Sequence, residues 1–228
     1  MTLSLLFLAL LMFGFGGWLF SHSIHVRPWE AQPEGTRPGG AGDRAGQLPP
    51  AATAARVGLV VFLAVVTAVF ALTISAYLMR MEMGPDWRPL PVPGLLWLNT
   101  LVLMLGSIAL QRAWTASKGR DRQALQRRLR LGGGFTSAFI LGQGVVWWQL
   151  QAAGHYLAAN PANAFFFLIT ALHALHLLGG LVAWARTLLK VQRGASASEV
   201  RASVELCALY WHFLLLLWAV LFALVLST

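Results

Sequence analysis

Charged residues are scarce in this sequence of 228 residues. Asp, Glu, Lys and Arg together make up 11% of it, whereas an average soluble domain carries about 25%. The apolar share is 57%, and the apolar residues come in blocks long enough to cross a bilayer, which takes about 20 residues of helix. A soluble chain could not cover its surface with so few charges. The composition therefore predicts an integral membrane protein.

Cysteine and the common catalytic motifs are also lacking. The single cysteine, Cys207, lies inside an apolar block, so no disulfide can form within the chain and a buried, inert thiol is expected. No glycine-rich phosphate-binding loop precedes a helix, and there is no nucleophile elbow. The formal net charge is +9, but the positive residues lie between the apolar blocks. They indicate membrane topology rather than binding of nucleic acid.

The apolar blocks predict an all-α fold, a polytopic transmembrane bundle of about six helices. Lipid offers no hydrogen-bond partner to the backbone, so each spanning segment must be helical, and short connections favour antiparallel neighbours. Three regions follow: an N-terminal transmembrane helix at 1–21, a cytoplasmic linker rich in Gly and Pro at 22–55, and a five-helix core at 56–228. The six segments are 2–20, 57–79, 94–111, 131–152, 163–187 and 203–227.

Lysine and arginine are distributed unevenly between the loops. All but Arg80 and Arg88 of the 17 lysines and arginines lie in the first, third and fifth loops. Positive residues accumulate in cytoplasmic loops, so these three loops are predicted to be cytoplasmic and both termini periplasmic. The densest basic stretch is 118–130. It either extends the next helix into the headgroup region, where it contacts anionic lipid, or acts only as a topological signal.

Small and neutral polar residues predict helix contacts. The run from Gly132 to Gly134 begins a predicted span, where glycines allow close approach of two helices. Asn99, Thr100 and Gln143 lie inside predicted spans. Each is expected to satisfy polar groups within the bundle.

Few ionisable residues lie inside the spans, and each is a functional candidate because it is costly there. His173 and His176 share one helix face. Glu205 and His212 are two turns apart on the next helix, about 10 Å in rise. If these faces pack together, they form one buried polar cluster. Three interpretations remain open at this point: ligation of haem or a metal by the histidines, a proton relay starting at Glu205, or a structural hydrogen-bonded network.

Three motifs resemble the cytochrome oxidase subunit III family, over about residues 55–228. The segment FFFLITALHALHLLGGLVA is similar to the family's T-x-x-H-x-L-H-x-x-G helix. ELCALYWHFLLLLW resembles its closing helix with E-x-x-x-x-Y-W-H-F, and WRPLPVPGLLWLNT looks like its Trp/Leu-Pro turn and L-N-T helix start. Gln143 fits the family's mid-helix Gln, and 58–80 fits the first helix of a five-helix core. The motif positions are Thr170, His173, Leu175, His176 and Gly179, then Glu205, Tyr210, Trp211, His212, Phe213 and Trp218.

The sequence departs from the family pattern at several acidic positions. A buried Ser-Glu pair common in the family aligns with Val65 and Val66. The family's Asp in H-F-V-D is Leu215 here, and a frequent Glu is Val146. A proton-related role of those carboxylates therefore cannot be carried over, and a structural network becomes the favoured interpretation.

The resemblance implies a non-redox subunit of a haem-copper terminal oxidase in aerobic respiration. Haem and copper would be held by subunits I and II, and this chain would hold no catalytic centre, cofactor or metal. It would pack on subunit I, bind phospholipid and support the stability and proton uptake of the catalytic core, in a bacterial inner membrane. The implied structural network is His173, His176, Glu205, Tyr210, Trp211 and His212, and the helix-packing residues are Asn99, Thr100, Gln143, Thr170 and Gly179.

Two alternative functions remain. One is an accessory subunit of a nitric oxide reductase, whose partner resembles subunit III and shares the Y-W-H motif. The other is a membrane anchor for b-type haem that uses His176 and His212 as axial ligands. The identity of the neighbouring catalytic chain would test the first alternative. A Soret band on the isolated chain would support the second.

Overall fold

The computed structural model describes residues 50–84, 86–119, 121–195 and 197–227. All regular secondary structure in these ranges is helical, which confirms the predicted fold class. The N-terminal helix predicted at 1–21 and most of the linker at 22–55 lie outside the described residues. The five helices are α1 (Pro50–Met83), α2 (Leu95–Ser117), α3 (Arg122–Ala152), α4 (Pro161–Gln192) and α5 (Ala197–Leu226).

The last residues of the predicted linker are helical, because α1 begins at Pro50. Proline is favoured at the first position of a helix, and the alanines that follow it have the highest helix propensity. The chain divides into two compact units between Val61 and Phe62. The helix contacts and the site described below lie in the second unit.

Four of the described helices are long and apolar enough to cross a membrane, namely α1, α2, α4 and α5. The helix α3 has the length, with 31 residues, but a lower hydropathy. Four arginines in its first half, the glycine run at 132–134 and the amide of Gln143 lower its hydropathy. The sequence nevertheless predicted a span here, and α3 lies against α2 and α4.

A side-chain cap begins α3, and glycine caps end α3 and α4. The Asp121 carboxylate accepts from the backbone N–H of Ala124 at 2.9 Å and begins α3. Gly154 and Gly194 follow α3 and α4 with φ of 86° and 75°, a left-handed conformation that glycine adopts without steric cost. Each completes a Schellman motif, in which the next residue's N–H returns to a carbonyl of the last turn.

The helices α2 to α5 form a closed ring of contacts. α2 packs on α3 and α5, and α4 packs on the same two helices. From Phe62 onward, α1 packs through one stripe of side chains spaced three or four residues apart. The buried members of this stripe are Leu63, Val66, Phe70, Ile74 and Tyr77.

The outward faces of the helices are apolar. Leu72, Leu141 and Leu175 are 71%, 72% and 63% exposed. In water such a surface would be unusual, whereas in a bilayer it faces hydrocarbon. The exposure pattern therefore agrees with the membrane class predicted from composition.

The loop after α1 carries an ion pair whose effect depends on pH. Arg80 donates to both carboxylate oxygens of Asp86 at 2.9 and 2.8 Å, and this holds the pKa of Asp86 below its ordinary value of 3.8. A lowered native pKa stabilises the fold above 3.8, and the contribution is lost as the pH falls through the native pKa. Asp86→Asn is therefore expected to lower the melting temperature in detergent slightly at pH 7, because the pair is exposed.

The same comparison in acid is the control for this prediction. Once the pH lies below the native pKa, parent and Asp86→Asn chains should melt at the same temperature by circular dichroism. An Asp86→Asn difference that stays constant from pH 7 into strong acid would show that the carboxylate charge is not its cause.

Candidate functional site

Three tryptophans connect neighbouring helices through threonine hydroxyls. In each pair the indole N–H donates to the hydroxyl oxygen, and the hydroxyl donates to the carbonyl four residues earlier in its own helix. Lipid offers an indole N–H no partner, so these pairs satisfy it within the bundle and link α5 to α3, α5 to α2 and α3 to α4. The pairs are Trp211 with Thr136 at 2.7 Å, Trp218 with Thr100 at 3.0 Å and Trp147 with Thr170 at 3.1 Å.

His173 lies at the centre of the ring of helices. It is fully buried, and its ring lies 5.1 Å from that of Trp218 and 5.9 Å from that of Phe139, between centroids. Neither ring nitrogen has a hydrogen-bond partner among the described residues. His173 thus packs as an aromatic ring between α3 and α5.

His176 faces a different neighbour, although it lies one turn from His173. Its Nδ1–H donates to the carbonyl of Leu172 at 2.7 Å, and its ring packs against Phe70 at 5.5 Å between centroids. The hydroxyl of Tyr210 donates to the backbone carbonyl of His176 at 2.9 Å. These contacts bring α1, α4 and α5 together.

His212 lies on the opposite side of α5 and bonds to α2. Its Nδ1 lies 2.6 Å from the Ser107 hydroxyl and its Nε2 lies 3.0 Å from Oε1 of Gln111. A carbonyl oxygen only accepts, so in this arrangement Nε2 carries the proton and Nδ1 accepts from Ser107. The His212 side chain is exposed on the surface of the chain.

The predicted polar residues therefore contribute to three separate contacts rather than to one cluster. His173 contacts α3 and α5, His176 contacts α1 and α5, and His212 contacts α2. Hydrogen bonds between these histidines are absent from the described part of the chain. Glu205 lies half-buried near the start of α5.

Both predicted packing amides are buried, and Asn99 lies in the interface between α2 and α3. Asn99 is buried with its side chain against Gly142, where a Cβ atom would overlap its amide. Gln143 is also buried, and neither of its amide atoms has a partner among the described residues. Gly142 therefore provides the space that Asn99 occupies.

The glycine positions need one correction. Gly179, predicted as a packing residue, is exposed, and its missing Cβ would meet nothing within 4 Å. Its neighbour Gly180 makes the contact, since a Cβ there would come within 2.7 Å of Tyr210. Successive residues of a helix point about 100° apart, so an error of one position moves the residue to another face.

The glycine run at the start of the membrane part of α3 is divided in the same way. A Cβ at Gly132 would come within 2.6 Å of Leu110 in α2, and one at Gly133 would overlap the indole of Trp184 in α4. Gly134 faces open space. Two of the three glycines therefore allow close helix approach, as predicted.

The hydrogen bonds of the histidines bear on the haem and metal interpretation. Both ring nitrogens of His212 already have hydrogen-bond partners, and His176 lies on a different contact. Within the described ranges no group of three or more His, Cys, Asp or Glu side chains lies close enough to hold a metal ion. The arrangement can hold helices in register.

The sequence did not predict the hydrogen-bond partners of His212 and Trp211, which are hydroxyl and amide groups on neighbouring helices. Ser107 and Gln111 face His212, and Thr136 faces Trp211. The spacing of Ser107 and Gln111 on one helix face was the available signal. Only the packing of α5 against α2 and α3 shows which residues they meet.

Comparisons with known proteins agree with the motifs. The sequence model of the family described as cytochrome c oxidase subunit III matches residues 52–227. Cytochrome c oxidase subunit 3 of Synechocystis sp. is 30% identical over 173 residues, which cover 74% of this chain and 73% of that protein. A probable cytochrome c oxidase subunit 3 of Mycobacterium bovis is 30% identical over 173 residues, covering 74% and 85%. The corresponding protein of Nocardia farcinica is 26% identical over 171 residues, covering 73% and 84%.

Proposed function

This chain belongs to the cytochrome c oxidase subunit III family, and from this premise we propose that it is a non-redox subunit of a haem-copper terminal oxidase. The observation that carries the proposal is the family match, which extends from the third residue of α1 to the end of α5. Haem and copper are held by the partner subunits I and II. The chain supports the stability of that catalytic core in aerobic respiration.

The use of its polar side chains supports a structural role. Trp211, Trp218 and Tyr210 donate their hydrogen bonds to neighbouring helices. The family's acidic positions in the spans are apolar here, and of these Val66 and Val146 are buried. We therefore propose that the chain supports proton uptake indirectly, by holding subunit I in its active arrangement.

The surface around His212 is the proposed contact with subunit I. His212 lies near the middle of α5, and its exposed, hydrogen-bonded imidazole and the half-buried Gln111 beside it would be costly against lipid. A partner helix that covers them removes this cost. The nearby exposed side chains of Leu105 and Ile108 extend the same face of α2 with apolar surface.

Location and lipid binding complete the proposal. The charge distribution between loops supports a bacterial plasma membrane protein with periplasmic N- and C-termini. Bound phospholipid would fill grooves that remain on the outward faces of the helices. Neither the nitric oxide reductase nor the b-type haem alternative is favoured by the relatives, which are named as cytochrome c oxidase subunits.

Purification of the tagged chain in a gentle detergent tests the proposal. We expect a multi-haem partner to co-purify, with haem bands in the optical spectrum that disappear when the chain is stripped of its partners. Protein identification of the partner as an oxidase subunit I would support the proposal, and a nitric oxide reductase would replace it. Haem retained by the isolated chain would overturn the non-redox role.

The His212 surface is tested in the same purification. His212→Ala removes the bonds to Ser107 and Gln111, each worth about 1 kcal/mol in a membrane, and so loosens the α2–α5 face that subunit I contacts. If this whole loss is transmitted to the interface, retention of subunit I should fall about thirtyfold. His155→Ala, in the loop before α4, is the matched control and should retain the partner. A His212→Ala complex with full subunit content and lost oxygen reduction would contradict the structural role.

A further inference from the structure

Three polar side chains at the centre of the bundle carry five hydrogen-bonding atoms that no protein group pairs with. These atoms are the amide nitrogen of Asn99, both amide atoms of Gln143 and both ring nitrogens of His173, and none has a partner among the residues that the structure describes. All three side chains are almost fully buried. Native proteins pair nearly all of their buried polar atoms, because an unpaired one loses its hydration without compensation.

Contacts on both sides of Gln143 place it level with His173. On α3, Phe139 lies one turn before Gln143, and Trp147 lies one turn after it. The Phe139 ring lies 5.9 Å from that of His173, between centroids, and the Trp147 indole donates to Thr170 at 3.1 Å. Thr170 and His173 are one turn apart on α4. Since α3 and α4 run in opposite directions, Gln143 lies opposite the segment of α4 between these two residues.

Asn99 reaches the same level from α2. Its amide lies against Gly142, the residue before the buried glutamine. The next residue of α2, Thr100, accepts from the Trp218 indole at 3.0 Å, and the Trp218 ring lies 5.1 Å from that of His173, between centroids. The three unpaired side chains therefore converge from α2, α3 and α4 on one region of the core.

The chemistry of these side chains selects a small neutral ligand. The amide nitrogens of Asn99 and Gln143 donate, the amide oxygen of Gln143 accepts, and a neutral imidazole supplies one donor and one acceptor. His173 is neutral here, because an unpaired buried charge is too costly. A ligand of this site must therefore both donate and accept, and it needs no charge. Water has these properties and commonly bonds to buried polar groups that lack protein partners.

The neighbours of Gln143 on α3 also leave space for such a ligand. Phe139 and Trp147 extend to α4 from the turns before and after Gln143, and their rings keep the two helices apart. The side chain of Gln143 is smaller than either ring, so it does not fill the same distance between the helices.

We propose that a small cluster of buried water molecules binds between Asn99, Gln143 and His173. The water accepts from the two amide nitrogens, donates to the amide oxygen of Gln143, and bonds to both nitrogens of the imidazole. It thereby connects α2, α3 and α4 through hydrogen bonds that the side chains do not make with one another. The site lies inside the chain and does not depend on the proposed contact with subunit I.

Radiolytic labelling of the purified complex in water enriched in ¹⁸O tests this site. Hydroxyl radicals formed from bound water oxidise the side chains beside it. Trp218 should therefore take up ¹⁸O several times faster than Trp211. The comparison is matched, because both indoles are fully buried and both donate to a threonine, whereas only Trp218 lies against His173.

A variant removes the polar atoms of Gln143 while keeping an apolar side chain of similar size. Gln143→Leu should reduce oxidation of Trp218 to the rate of Trp211, and should lower the melting temperature by about 2–4 °C because its bonds to water are lost. Thr187→Val is the control, since this buried hydroxyl already has partners in Ala183 and Cys207. It should leave oxidation of Trp218 unchanged.

Three outcomes would overturn the site. The first is oxidation of Trp218 no faster than that of Trp211 in the parent complex, a comparison that stands even if Gln143→Leu fails to fold. The second is a higher melting temperature of Gln143→Leu, as expected for a dry, unpaired amide. The third is a map of the parent complex, at a resolution that shows ordered water, in which Gln143 bonds directly to His173 without density between them. Co-purification of subunit I is unaffected by all three, so failure of this site leaves the proposed function standing.

Discussion

Gly133→Leu is expected to disrupt the packing of α3 against α4. A Cβ at Gly133 would overlap the indole of Trp184, whose N–H donates to the carbonyl of Leu129 at 2.8 Å. The indole cannot move away without losing this bond in a medium that offers no substitute. Overpacking costs about 1–3 kcal/mol, and an unsatisfied buried N–H costs about 1–3 kcal/mol more.

This loss should appear as a low yield of folded chain in the membrane fraction and a lower melting temperature in detergent. Gly144→Leu introduces the same side chain on the same helix where space is open, and should behave as the parent does. If Gly133→Leu matched Gly144→Leu in both measurements, α3 and α4 would not approach each other closely at Trp184.

Replacement of Trp211 has the second large expected effect. This side chain is fully buried and donates to Thr136 at 2.7 Å, and a Cβ at Gly180 would come within 3.1 Å of it. It therefore joins α3, α4 and α5. In a bilayer, little free energy is gained by moving an apolar side chain from lipid into the core, because lipid is as apolar as the core. A cavity mutation therefore loses little of this transfer free energy. The cavity and lost contacts remain, so Trp211→Ala should cost about 3 kcal/mol.

Two milder variants separate the packing of Trp211 from its hydrogen bond. Trp211→Phe keeps most of the ring and should cost about 1 kcal/mol, since the Thr136 hydroxyl still donates to Gly132 at 2.9 Å. Thr136→Val leaves the indole N–H unpaired and should cost about 1–3 kcal/mol. Unfolding by dodecyl sulfate measures all three, with the exposed Trp148→Ala as control. A cost for Trp211→Ala no larger than that of Trp148→Ala would contradict its central position.

The helical segments were predictable because a bilayer leaves the backbone little choice. A block such as 163–187 must be helical once it is in lipid, and α4 contains it. Even α3, whose glycines lower its hydropathy, was predictable from its apolar stretch at 131–152. Helix ends were less predictable, as α1 shows by starting inside the predicted linker at Pro50.

Individual packing residues were predictable by type but not always by position. Thr100 and Thr170 were expected in helix contacts, and each accepts an indole N–H from another helix. Gly179 was expected there as well, whereas Gly180 makes the contact. A motif identifies the helix that packs, but one residue of rotation decides which side chain faces inward.

By itself, the sequence determined the membrane class, the helical segments and, through its motifs, the family. These follow from composition, segment length and local pattern, which do not depend on distant parts of the chain. Only the tertiary structure decided that His173, His176 and His212 take part in three different contacts, and that Arg127 and Arg130 have no hydrogen-bond or ion-pair partner among the described residues. The physical reason is that a helix presents a new direction every 100°. Which direction meets protein depends on helices far away in the sequence.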